Sequence, residues 1–312
     1  MWNGATEPRL TGEARTMGGR PWPALGQGTW HMGASRASRA REVDALRLGI
    51  SLGLTLIDTA EFYAAGGAEE VVGEAVRDCR ERVTLVGKIW PSHATRQGVL
   101  ASVRRSLERL GTDHLDVVLL HWPTREVPLA QTLEAMAEAQ ALGLIGRLGV
   151  SNFDLPWLEA LERTPHGGAV CVNQVRYSLL DRRSERRVLP WARCHGQIVM
   201  AYTPLGHGHL ERWPGHAALA RVAAERGADP SQVALAYLIS RGGVVPVPKA
   251  VHPDHVRSNA GAATVHLAPQ EIERLEEAFP LPRAVALATL PPYGPFFRLA
   301  LSAVGWERHL HR

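Results

Sequence analysis

The chain has 312 residues, 45% of them apolar, and a formal net charge of +4. That apolar content is enough for a sizeable core and argues against disorder. The basic balance does not point to nucleic acid: the arginines are spread along the chain, and the densest group, Arg182-Arg183 with Arg186-Arg187, reads as a solvated helix start rather than a basic face interleaved with aromatics.

Residues 1–14 look like a loose leader, and Met17-Gly18-Gly19-Arg20 predicts a hairpin turn before Pro23-Ala24-Leu25-Gly26. An alternation of strand and helix then begins. Gly28-Thr29-Trp30 is the end of a short strand, and Ala40 to Leu52 a helix stopped by Gly53. Strand Thr55 to Asp58 leads to helix Ala68 to Arg80. Strand Val83 to Ile89 leads to helix Gln97 to Leu110, strand Leu115 to Leu120 to helix Leu129 to Leu142, and strand Ile145 to Val150 to helix Leu155 to Glu162. Strand Ala169 to Val175 precedes helix Arg186 to Cys194. Strand Ile198 to Tyr202 precedes two helices, Ala217 to Arg226 and Ser231 to Arg241, and strand Val244 to Val247 precedes helix Pro253 to Ala262. A further helix, Pro269 to Ala278, follows.

The strands are short, continuously apolar runs, as expected when both faces of a parallel sheet are covered. Eight such units predict an α/β fold of the closed (β/α)8 TIM-barrel type, with an N-terminal β-hairpin and extra C-terminal helices. A doubly wound sheet that bound a dinucleotide would want Gly-x-Gly-x-x-Gly after its first strand, and Gly26-Gln27-Gly28-Thr29-Trp30-His31 fails at the sixth position. The barrel is expected to span residues 15–280, leaving 281–312 as a tail of uncertain position.

A barrel gathers its chemistry at the C-terminal ends of its strands. Those ends carry Thr29-Trp30, Asp58, Lys88, His121-Trp122, Ser151-Asn152, Asn173-Gln174, Tyr202-Thr203 and Lys249. Lys88 lies inside the apolar run Leu85-Val86-Gly87-Lys88-Ile89-Trp90, where a lysine needs a partner, and Asp58 on the neighbouring strand is the natural one. Beside Tyr63, that positive charge would favour the phenolate and make the phenol a better acid. His121 is placed to orient a carbonyl.

Gly-Thr-Trp, Asp-Thr-Ala-Glu-x-Tyr, Gly-Lys-x-Trp, Leu-Leu-His-Trp-Pro, Gly-Val-Ser-Asn-Phe, Asn-Gln-Val-x-Tyr, Ala-Tyr-x-Pro-Leu and Val-Pro-Lys occur in that order. The chain thereby resembles the aldo-keto reductases from about Pro23 to Pro280, and more narrowly the bacterial branch that reduces methylglyoxal and other reactive aldehydes. The resemblance implies a catalytic tetrad of Asp58, Tyr63, Lys88 and His121. In it Tyr63 protonates the carbonyl oxygen while a nicotinamide delivers hydride, and the product is an alcohol.

The same resemblance implies a site for NADPH or NADP, with NADH as the weaker alternative. Ser151, Asn152 and Gln174 match residues that hold the carboxamide, and Tyr202 matches the ring that stacks on the nicotinamide. Thr203, Pro204 and Leu205 begin a loop along the pyrophosphate, with Thr29, Trp30 and Asp58 bordering the site. Lys249 matches the lysine that meets the 2′-phosphate, and Asn259 an adenine contact. Where the family often has Ser and Arg, this chain has Ala250 and His255, and Ser258 stands where a Glu is frequent. Neutral His is no permanent bidentate clamp, so the margin for NADPH over NADH is expected to be smaller than in members with the arginine.

Trp30, Phe62, Trp90 and Trp122, with His121, are expected to form an apolar cup for a small carbonyl substrate. No dedicated anion clamp is evident, which favours neutral aldehydes. A cofactor-binding partner protein on the same fold, like a channel β-subunit, is the alternative; the intact tetrad argues for turnover. Gly206-His207-Gly208-His209 is expected to be a flexible cofactor clasp, and no metal is expected. Cys79, Cys171 and Cys194 fit neither a zinc motif nor a disulfide framework and suit a reducing cytosol. The polar N-terminus has no apolar signal-peptide core, and no run reaches the ~18 apolar residues of a membrane span. A soluble cytoplasmic protein is expected, a monomer or weak homo-oligomer, with neither membrane nor nucleic-acid partner.

Overall fold

Strands without a polar face must lie between two covered layers, and this requirement organises the computed structural model, which describes residues 16–17 and 20–281. Two short strands, β1 (Thr16–Met17) and β2 (Arg20–Pro21), pair antiparallel as the expected hairpin. The strands β3 (Gly26–Gly28), β4 (Leu56–Asp58), β5 (Thr84–Ile89), β6 (Leu115–Leu120), β7 (Ile145–Ser151), β8 (Val170–Arg176), β9 (Ile198–Tyr202) and β10 (Val244–Pro246) then form one parallel sheet in sequence order. Helices intervene between consecutive strands, as the barrel expectation requires.

The two faces of each strand part cleanly. Leu56, Val86, Val117, Leu119, Val172, Ile198, Met200 and Val245 form one buried cluster inside the barrel. The intervening Ile57, Leu85, Val118, Leu120 and Val199 belong to the cluster against the helices. Because the side-chain period is two, the inward face continues upward to Asp58, Lys88, His121 and Gln174. The same alternation that fills the barrel aims these four polar groups at one another.

The sheet closes beyond the ends of its first and last strands. Gly28 N donates to Pro248 O at 3.0 Å, and a Cβ on Gly28 would stand 2.7 Å from Val247 O. The first strand stops at Gly28 rather than Trp30, because Thr29 turns both its N–H (3.1 Å) and its hydroxyl (2.9 Å) to Asp58 O. The outer layer comprises α1 (Arg39–Ser51), α2 (Gly67–Val76), α3 (Arg96–Leu110), α4 (Leu129–Ala141), α5 (Leu155–Glu162), α6 (Val188–Cys194), α7 (His216–Arg226), α8 (Pro230–Ser240), α9 (Pro253–Gly261) and α10 (Pro269–Ala278). Their starts follow local chemistry: Thr95 Oγ1 accepts from Gly98 N at the head of α3, and Asp229 with Gln232 makes a capping box on α8. Helix α2 is shorter than its apolar pattern predicted, and a 3₁₀ turn, Arg80–Arg82, follows it.

Only half of the arginine group after β8 is a solvated helix start: Arg186 and Arg187 are exposed just before α6, but Arg182 and Arg183 are held. Arg182 is buried; it pairs with Glu185 at 2.7 Å and donates to Phe279 O at 2.8 Å, which ties the end of α10 to the loop above β8. Arg183 pairs with Asp181. The expected tail, 281–312, lies outside the described residues apart from Leu281.

The seam supplies a stability test. Gly28→Ala would press a methyl group onto a backbone carbonyl that cannot yield, and it is expected to cost about 1–3 kcal/mol. The urea midpoint of the variant checks this, with Gly168→Ala, where the backbone is not left-handed and no atom lies within 4 Å of the added Cβ, as the control for glycine replacement in general.

Candidate active site

Strand register brings the four predicted ionisable groups to one mouth of the barrel. Lys88 Nζ donates to Asp58 Oδ1 at 2.5 Å and to Thr59 O at 2.9 Å. The lysine side chain has no exposed surface and that of Asp58 has 4%. Gln174, from across the barrel, donates its Nε2 to the same Asp58 Oδ1 at 2.6 Å. Gln174, expected at the carboxamide, thereby also braces the carboxylate.

Tyr63 follows β4 by five residues, and its ring centroid lies 4.9 Å from Lys88 Nζ and 5.8 Å from the His121 ring. The expected electrostatics need one correction. Burial holds the phenol well above its ordinary pKa, and the Asp58 carboxylate and Tyr202 push the same way. The phenol is therefore firmly protonated at neutral pH, because desolvation and a shared carboxylate outweigh a lysine that Asp58 already neutralises. Burial also lowers Lys88, against the opposing pull of Asp58. His121 is held well below its ordinary value by burial and then by Lys88, so its imidazole is neutral at pH 7. Its Nδ1 is buried without a hydrogen-bond partner among the described residues.

Aromatic rings wall this mouth. Phe62 stacks on Trp90 at 4.1 Å, Trp90 meets the His121 ring edge-on at 5.2 Å, and Trp30 meets Tyr63 edge-on at 4.9 Å. Trp122 is half-buried beside them in the chain. Sequence reasoning missed the group that joins this wall to the Tyr63 loop. Glu61 accepts from Trp90 N at 2.8 Å and meets His93 Nδ1 at 2.8 Å. Its place in Glu-x-Tyr was visible, but nothing in the spacing disclosed the partners.

The other predicted residues line the adjoining rim. Asn152 has a left-handed backbone (φ 63°); its Nδ2 donates to His121 O and Ser151 Oγ, and its Oδ1 accepts from Tyr202 OH at 2.8 Å. Ser151 Oγ donates to Gln174 O. After Tyr202 the backbone is left-handed at Thr203, Gly206, His207, Gly208 and His209, while Pro204 is buried and Leu205 packs on the core. Non-glycine residues in that region concentrate at functional sites. Lys249 and His255 are exposed, with half-buried Ala250 between them in sequence, and Asn259 is buried on α9. Ser258 donates to Asp229 Oδ2 at 2.5 Å and so serves the α8–α9 contact. No group of three or more His, Cys, Asp or Glu among the described residues is placed to hold a metal ion, and no helix among them is long and apolar enough to cross a membrane.

A protonated phenol, a neutral imidazole and a compensated lysine–carboxylate pair thus share one aromatic-walled barrel mouth. A model of the Aldo/keto reductase family matches residues 24–279, and the chain belongs to that family of oxidoreductases. Among its relatives, methylglyoxal reductase YeaE of Escherichia coli K12 is 44% identical over 263 residues, covering 84% of this chain and 92% of that protein. Methylglyoxal reductase DkgB of Escherichia coli O157:H7 is 30% identical, covering 78% and 88%. The crystal structure of an aldo/keto reductase from Klebsiella pneumoniae in complex with NADP and acetate superposes with a TM-score of 0.83 at 44% identity, covering 86% of this chain and 96% of that one.

The buried pair is open to a double-mutant test. Lys88→Met strands the Asp58 carboxylate and is expected to cost about 3–5 kcal/mol. Adding Asp58→Asn should recover much of that stability without restoring turnover if the ammonium itself takes part, because stability needs only charge balance. Denaturant midpoints and initial rates of the three variants separate the two effects.

Proposed function

We propose that the chain reduces small neutral aldehydes and ketones of the methylglyoxal kind to alcohols with NADPH, Tyr63 supplying the proton. The observation that carries this reading is the convergence of Tyr63, Lys88, Asp58 and His121 at one buried mouth. The cofactor is NADP(H), which supplies hydride from its nicotinamide when bound. The donors and acceptors on Ser151, Asn152 and Gln174 suit a carboxamide, the Tyr202 ring suits stacking on a nicotinamide, the glycine-bearing loop from Thr203 suits a pyrophosphate, and exposed Lys249 and His255 suit a 2′-phosphate.

The remaining roles follow from charge and burial. His121, neutral and flanked by rings, orients the carbonyl by hydrogen bonding without adding a cation. The phenol hands its proton to the carbonyl oxygen as negative charge develops there, and the Lys88 ammonium stabilises the phenolate left behind. Asp58 holds that ammonium in place, and Gln174 holds Asp58. The Phe62–Trp90 stack and Trp30 keep water from the reacting centre. The absence of an arginine at position 255 supports an NADPH preference with a modest margin over NADH.

Tyr63→Phe is expected to lower carbonyl reduction by roughly 10²–10⁴-fold with little change in NADPH affinity. In the parent chain the phenol keeps its proton from about pH 7 to about pH 9, so a fall in rate across that range is expected to report loss of the Lys88 ammonium, which burial favours. Full activity in Tyr63→Phe would contradict the assignment. Steady-state rates with both cofactors over a panel of neutral and carboxylated carbonyls test the rest; preference for NADH, or turnover of charged carbonyls only, overturns it.

A further inference from the structure

The backbone just after Tyr63 turns against the handedness of L-residues. Ala64 (φ 50°, ψ 39°), Ala65 (φ 52°, ψ 38°) and Gly66 (φ 95°, ψ −10°) are three consecutive left-handed residues. Only glycine takes this region without steric cost, and residues other than glycine ordinarily enter it singly. A run that includes two alanines persists only where its surroundings over-determine it.

Two contacts do so. On the inner side, the backbones of Gly33 and Gly67 touch: a Cβ on Gly33 would lie 2.1 Å from Gly67 C, and one on Gly67 would lie 2.6 Å from Gly33 O. On the outer side, the Arg109 side chain lies flat against Gly66, where a Cβ would stand 2.6 Å from its Cδ and Nε. Arg109 comes from α3, in the next unit of the barrel. Its Nε donates to Glu69 Oε2 at 2.6 Å, and Glu69 stands in the first turn of α2, three residues after the turn ends. The Glu69 side chain has no exposed surface, and its Oε1 has no hydrogen-bond partner among the described residues. Burial pushes this carboxyl up, and Arg109 opposes that push. A buried carboxylate held by Arg109 and Ser106, with one oxygen left unpartnered among the described residues, is a poor choice for stability alone, since apolar side chains of similar volume commonly do as well. Its place against Gly66 gives it a different use.

We propose that the buried Glu69–Arg109 pair positions Tyr63, by clamping the strained turn 64–66 onto α3 and so setting where the phenol stands relative to Lys88 and His121. The inference rests on Tyr63 being the proton donor. Both members are positioning residues; neither touches the reacting atoms. The clamp is directional: the guanidinium fills the space that only a glycine leaves open, while its charge holds the start of the following helix.

The test uses the full chain with Arg109→Lys, which keeps the charge but not the flat guanidinium, and Glu69→Gln, which keeps the shape but not the charge. Each is expected to lower kcat roughly 10- to 100-fold, as a misplaced proton donor would. The KM for the carbonyl and the Kd for NADPH, read by fluorescence titration without turnover, should stay within about twofold of the parent. Adding Ala64→Gly and Ala65→Gly should restore most of the lost kcat, because glycines hold a left-handed turn without the clamp. Parental kcat in Arg109→Lys or Glu69→Gln, or no recovery with the glycines, overturns the proposal. Should either clamp variant fail to fold, the two glycines in the otherwise parental chain decide: release of strain should raise Tm by about 2–4 °C, and an unchanged or lower Tm overturns the strained turn. Failure of the underlying reading looks different, since Tyr63→Phe would then keep its turnover.

Discussion

The ion pair between Lys88 and Asp58 is the constraint on which the rest of the mouth depends. An ammonium with no exposed surface survives in a barrel interior only with a partner at hydrogen-bond distance, and Asp58 provides it at 2.5 Å. The partner is in reach because β4 and β5 pair with Asp58 opposite Val86, so the inward residue two places further along β5 leans over the end of β4. Gln174 completes the arrangement from the far wall. A one-residue slip in either strand would turn these groups outward and leave a charge in the helix layer.

The pair also explains why its neighbours stay neutral. Lysine and aspartate cancel much of each other's field, so Tyr63 and His121 respond mainly to burial, which opposes charge on both. The resting site thus holds a protonated phenol and an uncharged imidazole. Under the proposed function, such a site suits a substrate whose oxygen becomes negative, since no fixed net charge competes with it beforehand.

The parts around the site are held by contacts that cross between barrel units. Glu61 links the Tyr63 loop to Trp90, Arg182 links the loop above β8 to the end of α10, and Trp213 packs edge-on against Phe279 at 5.8 Å. Each joins segments far apart in sequence through a buried polar or aromatic group. The scaffold is a general one; the loops that carry function take their shapes from these few ties.

The strand–helix alternation, the apolar strands and the polar groups at strand ends were legible in the residues themselves, because period-two and period-3.6 patterns are local. The order Asp58, Tyr63, Lys88, His121 followed from the same patterns, and the resemblance to a reductase family rested on them. What local patterns do not contain is who meets whom across the barrel. Gln174 bracing Asp58, Arg182 buried rather than solvated, the barrel seam at Gly28 and Pro248, and the left-handed turn after Tyr63 all depend on residues brought together from distant segments. The direction of the Tyr63 shift belongs to this second group as well. Sequence placed a lysine near a phenol, but only the packed structure decides how much water is removed from the phenol and how much of the lysine's charge Asp58 has already taken.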